Sequence, residues 1–196
     1  MKKILITLTI LIAFSCKSQI IPQNNAYVDI PNNAYIKDTE NFLDNFVGTW
    51  HYQNGNEQFT ITLVKVLHHD FGSFYKDIII GEYKYIDNNG NTLVNTLADI
   101  NNPSFPGPLY HKIAGARSLI RLEYPKCLEC NLDEYRIKSY FTDPDRKYQN
   151  LAIVFRSISA TQIKIKLYRE GMSTTTDPNA PDEMRIPAGE YLMNKI

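Results

Sequence analysis

Two cysteines separated by two residues, Cys127-Leu128-Glu129-Cys130, have the most direct route to chemistry in this sequence. Thiols at that spacing can oxidise to each other, exchange with another disulfide, or supply half of a metal site. In an exported protein two thiols this close most often oxidise, so a Cys127–Cys130 disulfide is expected, closing so short a loop that it stabilises by only about 2 kcal/mol. A redox-active pair normally opens a helix whose amide groups lower the first thiol's pKa, whereas Asn131-Leu132-Asp133 leads into a strand-like run. Metal ligation needs two further soft ligands, and there is no second Cys-x-x-Cys. His51, His68, His69 and His111 are the imidazoles on offer. Neighbouring residues on a strand face opposite sides, so His68 and His69 share a metal only across a bulge. Asp70, Asp77, Glu82 and Asp99 can pair as acid and base, although carboxylates so spaced ordinarily lie on wetted strand faces. Nucleophile-elbow, phosphate-loop and paired-histidine motifs do not occur. No catalytic residue, metal ligand or cofactor is assigned on these grounds.

Charge narrows the partners. The chain of 196 residues balances 21 basic against 21 acidic side chains. The basic residues do not cluster, and a nucleic-acid surface needs concentrated cationic charge, so no nucleic acid is expected. Tyrosine occurs 13 times, which suits half-buried strands where the ring packs and the hydroxyl stays wet.

Met1-Lys2-Lys3 followed by the apolar run from Ile4 to Phe14 has the form of a secretion signal. Such a run rises only about 16 Å as a helix, against roughly 30 Å of hydrocarbon, so it is too short to span a bilayer. Leu11-Ile12-Ala13-Phe14-Ser15-Cys16 resembles the lipoprotein cleavage box of Gram-negative bacteria. That resemblance implies lipidation of Cys16 and a membrane partner reached through the lipid. Lys17-Ser18-Gln19 carries no acidic cluster, and the expected address is the cell envelope, on the outer membrane facing the periplasm. The expected division is 1–15 signal peptide, 16–36 lipid anchor and extended tether, and 37–196 barrel domain.

The tether contains an imperfect repeat, Ile21-Pro22-Gln23-Asn24-Asn25-Ala26-Tyr27 against Ile30-Pro31-Asn32-Asn33-Ala34-Tyr35, whose Pro and Asn content favours an extended chain. Asp38 or Thr39 can cap a short helix running to Asn45. Beyond it the pattern predicts strands near 48–53, 57–67, 74–86, 91–98, 117–124, 134–141, 149–158, 162–169 and 188–194. Asn54-Gly55 and Asn89-Gly90 are hairpin-turn pairs, and Asp143-Pro144-Asp145 marks another reversal. Alternation such as Ile163, Ile165, Leu167 against Lys164, Lys166 buries one face and wets the other. An antiparallel meander of this length resolves its free edges by closing on itself.

A short helix, then Phe46-Val47-Gly48-Thr49-Trp50 opening the first strand, then a meander, resembles the calycin group of lipocalins and fatty-acid-binding proteins. The fold expected is all-β, an up-and-down antiparallel meander closed into a lipocalin-like barrel of eight to nine strands with a short N-terminal helix. The resemblance implies that Gly48 and Trp50 plug the closed end, with Arg169 laid across the indole. As a whole the chain also resembles uncharacterised small lipoproteins of Gram-negative bacteria, which implies no activity. Two long connections, Asp99 to Ala116 and Glu170 to Pro187, sit where binding usually lives on a rigid barrel. Phe105, Leu109 and Tyr110 of the first, with Ile120, Leu122, Ile137 and Phe155 of the strands, are the residues expected to line a ligand. The function expected is an exported, lipid-anchored protein binding a small apolar ligand inside the barrel. A filled barrel would instead favour an interaction scaffold for an envelope protein, and a converging His and carboxylate would favour an enzyme.

Overall fold

The computed structural model describes residues 19–24, 29–102 and 104–196. The leader, Cys16 and Tyr27 lie outside the described residues. Among those described there are eleven strands: β1 (Ile20–Pro22), β2 (Tyr35–Lys37), β3 (Gly48–Asn54), β4 (Glu57–Asp70), β5 (Tyr75–Ile86), β6 (Thr92–Asn95), β7 (Ile113–Leu119), β8 (Arg136–Phe141), β9 (Leu151–Ser159), β10 (Gln162–Arg169) and β11 (Gly189–Lys195). Strands β3, β4, β5, β7, β8, β9, β10 and β11 pair antiparallel in chain order, and β11 returns to β3. The result is a closed eight-stranded up-and-down barrel. Gly55 and Gly90 take the positive φ of 60° and 83° that their tight turns demand.

One barrel strand carries three neighbours along a single edge. Tyr75 and Lys76 of β5 pair with β2, Ile79 to Gly81 with β7, and Lys84 to Ile86 with β6. The Pro- and Asn-rich segment is extended as its composition requires, and it docks: β1 and β2 add to the sheet in parallel. Tyr35 anchors it, its hydroxyl donating to Asp77 at 2.6 Å.

The barrel's lower end is closed by local geometry. The short helix is a single 3-10 turn, Phe42–Asn45, whose Phe42 and Leu43 amides donate to the Asp38 carboxylate at 2.7 and 2.9 Å. Trp50 is completely buried above it and donates its indole N–H to the Phe46 carbonyl at 2.7 Å. The cation over the indole is Lys195, with Nζ 5.2 Å from the ring centre. Gly48 is needed for that arrangement, since a Cβ there would lie 2.7 Å from Lys195 Cε. Arg169 is not the partner. β10 begins at the tryptophan end, where Gln162 faces Asn194, and finishes at the opposite end, where Arg169 pairs with Asp182. β11 runs back down, so its last residues are the ones that meet Trp50.

Inside, the barrel is filled. Phe59 makes edge contacts with Tyr83, Tyr85, Phe141 and Tyr191, with ring centres 6.0, 5.7, 6.5 and 5.3 Å away. Ile61, Leu63, Ile79, Ile137, Ile153, Phe155, Ile163, Ile165 and Leu167 complete the interior. The expected inward residues Ile120 and Leu122 are exceptions: both are exposed. β7 starts four residues earlier than the alternation suggests, and the Glu123 carboxylate accepts the Ile120 amide at 2.8 Å. A side chain that caps the backbone in this way offers it an alternative to the sheet, so the chain turns at Ile120.

Candidate functional site

A cleft of about 780 Å³ lies on the outside of the barrel, crossing β5, β7 and β8. Strand parity places it there. Lys138 and Tyr140 line it and alternate with Ile137, Ser139 and Phe141, which face the interior; Lys76 and Ile78 line it from β5. Ala114 and Gly115 form the floor. Gly115, at φ 115°, sits in a bulge of β7 between Ala114 and Arg117, and the bulge turns Ala116 into the core while Arg117 points out. At one end the stacked rings of Phe71 and Phe74, 5.1 Å apart, rim the opening; at the other stand Lys147, Asn150 and Glu170.

The long connection before β7 forms one wall. Its Leu109 and His111 line the cleft, and Phe105 packs edge-on against the His111 ring at 5.0 Å. His111 Nδ1 lies 2.9 Å from Glu82 Oε1, and both side chains are buried. The direction of this hydrogen bond follows the tautomer of the ring. Glu82 Oε2 has no hydrogen-bond partner among the described residues. Mechanically the pair fastens the connection to the outer face of β5. Chemically it is an imidazole oriented by a carboxylate at the edge of a cleft, a pairing of the kind used in acid–base catalysis.

Of the residues expected to line a ligand, Leu109 alone lines this cleft. Tyr110 is exposed beside it, Phe105 supports His111 from behind, and Ile137 and Phe155 belong to the filled interior. Cys127 and Cys130 form a disulfide and are buried in the connection between β7 and β8. That connection is tied down by Arg136, which donates to the Pro125, Ile120 and Glu123 carbonyls. It covers a second small cluster on the outer face, Leu119, Ala152, Val154 and Tyr168. Burial, followed by the charge of Glu170, pushes the Tyr168 hydroxyl up to about 12. His68 lies in a bulge of β4 and His69 follows it; the His68 ring stacks on Tyr75 and the His69 ring meets Phe71 edge-on. No group of three His, Cys, Asp or Glu among the described residues is placed to hold a metal.

Sequence reasoning missed Phe71, Phe74, Lys76, Arg117, Lys138 and Lys147, which only the closed sheet brings to one place. One signal was available: Ala114-Gly115-Ala116 is a run of small residues inside a strand, the mark of a bulge or of a close approach from outside.

A family model matches residues 1–196. The chain belongs to that family, described as a family of unknown function (DUF6705). No curated protein and no solved structure matches it. Within this DUF6705 chain the cleft combines apolar walls, a cationic lining and the His111–Glu82 pair, and it has room for a molecule larger than water.

Proposed function

We propose that this protein is a lipid-anchored binding protein of the cell envelope whose site is the outer cleft, with the barrel serving as a rigid scaffold. One observation carries the reading: the barrel interior is occupied by its own aromatic side chains, whereas about 780 Å³ of space lies outside, walled by a long connection. Small-molecule sites typically occupy roughly 300 to 1,000 Å³ with mostly apolar walls. The anchor reading rests on the sequence around Cys16 and gains a geometric consequence from β1. Ile20 is four residues from Cys16, a reach of at most about 14 Å, and β1 joins β5 through β2 at the Tyr75 end. A lipid on Cys16 therefore brings the Phe71 and Phe74 end of the cleft close to the bilayer surface.

Uptake of a fluorescent apolar probe by the purified chain tests the site. Leu109→Asp or Tyr140→Ala weakens it severalfold, and Ile137→Val in the interior leaves it unchanged; dependence on Ile137 in place of Leu109 would put the ligand inside the barrel and overturn the proposal. Cys16→Ser moves the protein from the membrane to the soluble fraction, and unchanged partition removes the anchor. A second reading, an acid–base enzyme, draws on the His111–Glu82 pair. It requires His111→Gln to abolish a turnover that Leu109→Asp only weakens.

A further inference from the structure

The connection between β7 and β8 reverses the usual placement of side chains on a surface loop. Leu122, Tyr124, Leu128 and Leu132 are 64, 70, 67 and 83% exposed. Its three glutamates reach back to cations of the barrel strands: Glu123 to Arg117 at 3.1 Å, Glu134 to Arg156 at 2.6 Å, and Glu129 to Arg156 and Lys164 at 3.5 Å. The backbone is answered from within as well. Arg136 donates to the Ile120, Glu123 and Pro125 carbonyls, Arg121 donates to the Leu128 carbonyl at 2.6 Å, and the Cys127 amide donates to the Arg121 carbonyl at 3.0 Å. The Cys127–Cys130 disulfide cross-links the same stretch. Irregular backbone approaches hydrocarbon only when its polar groups are satisfied inside the protein, and side chains presented by a loop held in this way lose little further freedom when they are buried. The other charged side chains of the connection, Lys126 and Asp133, are exposed and of opposite sign.

The start of β1 lies beside this connection. β1 runs parallel to β2 and β2 to β5, while β5 and β7 are antiparallel, so β1 runs against β7. The Gln23 side-chain amide donates to the Ala116 carbonyl at 3.1 Å, and the Ser118 hydroxyl donates to the Gln23 carbonyl at 2.9 Å. Residues before Gln23 therefore lead toward the end of β7, where the connection begins, and Ile20 is itself 56% exposed. Cys16 is four residues beyond Ile20, a reach of at most about 14 Å. A lipid at Cys16 holds one point of the protein at a bilayer, and the apolar area around that point sets which side lies against it. We propose that the β7–β8 connection is a second membrane contact, with Leu122, Tyr124, Leu128 and Leu132 seated in the interfacial zone of a phospholipid bilayer. The proposal rests on the anchor reading for its choice of a bilayer over a protein partner, and it adds a contact that does not itself require the lipid. Seated in this way, the cleft, which crosses β7 and β8, opens beside the membrane.

Phosphatidylcholine vesicles mixed with the full chain carrying Cys16→Ser test the connection apart from the anchor. Trp50 is completely buried, so a second tryptophan introduced by Tyr124→Trp reports on the connection locally, whatever else holds the chain to the vesicle. Its emission is expected to shift to the blue and to be quenched by brominated lipid, whereas that of Asn89→Trp, in the hairpin turn beyond the opposite end of β5, is not quenched. Leu128→Asp with Leu132→Asp cuts the quenching of the Tyr124→Trp reporter about tenfold; both leucines are exposed, so far-UV circular dichroism stays the same. The outer charges cancel, so the quenching persists in about 0.5 M salt. A Tyr124→Trp emission that is identical with and without vesicles overturns the proposal, whatever Cys16 does in cells. A quenched reporter in a protein whose membrane fraction is independent of Cys16 removes the anchor and upholds the connection. Quenching that needs anionic lipid and disappears in salt overturns the apolar contact. Self-association that is lost on Leu128→Asp with Leu132→Asp, without quenching by lipid, gives the face to a second copy of the chain and overturns the bilayer.

Discussion

Replacing Trp50 with alanine tests the closed end of the barrel more sharply than any other substitution. The side chain is completely buried, so its removal returns roughly 150 to 250 Å² to the reckoning, about 4 to 6 kcal/mol at ~25 cal/mol per Å². Unfolded chains already bury part of such surface, and a reduction of about a quarter leaves roughly 3 to 4.5 kcal/mol. The Phe46 carbonyl loses its donor at 2.7 Å, which adds about 1 kcal/mol for a buried acceptor. Lys195 also loses the ring beneath its ammonium. The expected loss is about 4 to 5.5 kcal/mol, a large part of the roughly 5 to 15 kcal/mol that typically holds a domain together. Trp50→Phe keeps most of the packing and forfeits the hydrogen bond, so it costs about 1 to 2 kcal/mol. The chain has a single tryptophan, so denaturant unfolding is followed by far-UV circular dichroism, which reads the sheet in every variant. A loss below about 1 kcal/mol for the alanine variant, the size of an ordinary surface substitution, would refute the claim that the indole closes the barrel.

Three further outcomes follow from the same structure. Lys76 has its pKa lowered from 10.5 to about 8 by burial and then by Arg117; between those values the unfolded chain binds the extra proton, so stability rises with pH across that window. Lys76→Met removes this rise, and a stability difference between the two proteins that stays constant from about pH 7 to 10 contradicts the assignment. Arg169→Ala changes stability by no more than about 1 kcal/mol, because its pair with Asp182 is at the surface; a loss like that of Trp50→Ala would restore it to the plug. Asp77 accepts the Tyr35 hydroxyl at 2.6 Å and the Asp38 and His68 amides at 2.9 Å from a buried position. Asp77→Asn turns an amide toward those donors and costs about 2 to 3 kcal/mol, whereas Tyr35→Phe costs about 1 kcal/mol; equal losses in thermal unfolding would count against a shared buried acceptor.

The cleft escaped the linear reading for a specific reason. A groove across neighbouring strands is lined by residues that are adjacent only through the sheet, and Phe71, Ala114, Tyr140 and Glu170 are separated by long stretches of chain. Of the two residues that the first long connection offered there, Leu109 lines the cleft and Tyr110 is exposed beside it. His111 and Glu82 were both noted as titratable groups, but their meeting depends on the β5–β7 pairing that folds one over the other. The choice of Arg169 failed on direction. Parity along a strand tells which face a residue takes, while the end of the barrel it reaches depends on which way that strand runs.

What the sequence by itself determined is the class of the fold. Hairpin pairs at Asn54-Gly55 and Asn89-Gly90, a period-two pattern in β4, β8 and β10, and glycine two residues before the sole tryptophan specify an antiparallel meander, because turn φ angles and face alternation are local properties. The tertiary structure decided what the barrel contains and where it is open. Whether rings from six strands fill an interior, and whether a bulge at Gly115 turns Arg117 outward, depends on closure and inter-strand register, which bring distant residues together only once every strand has found its neighbour.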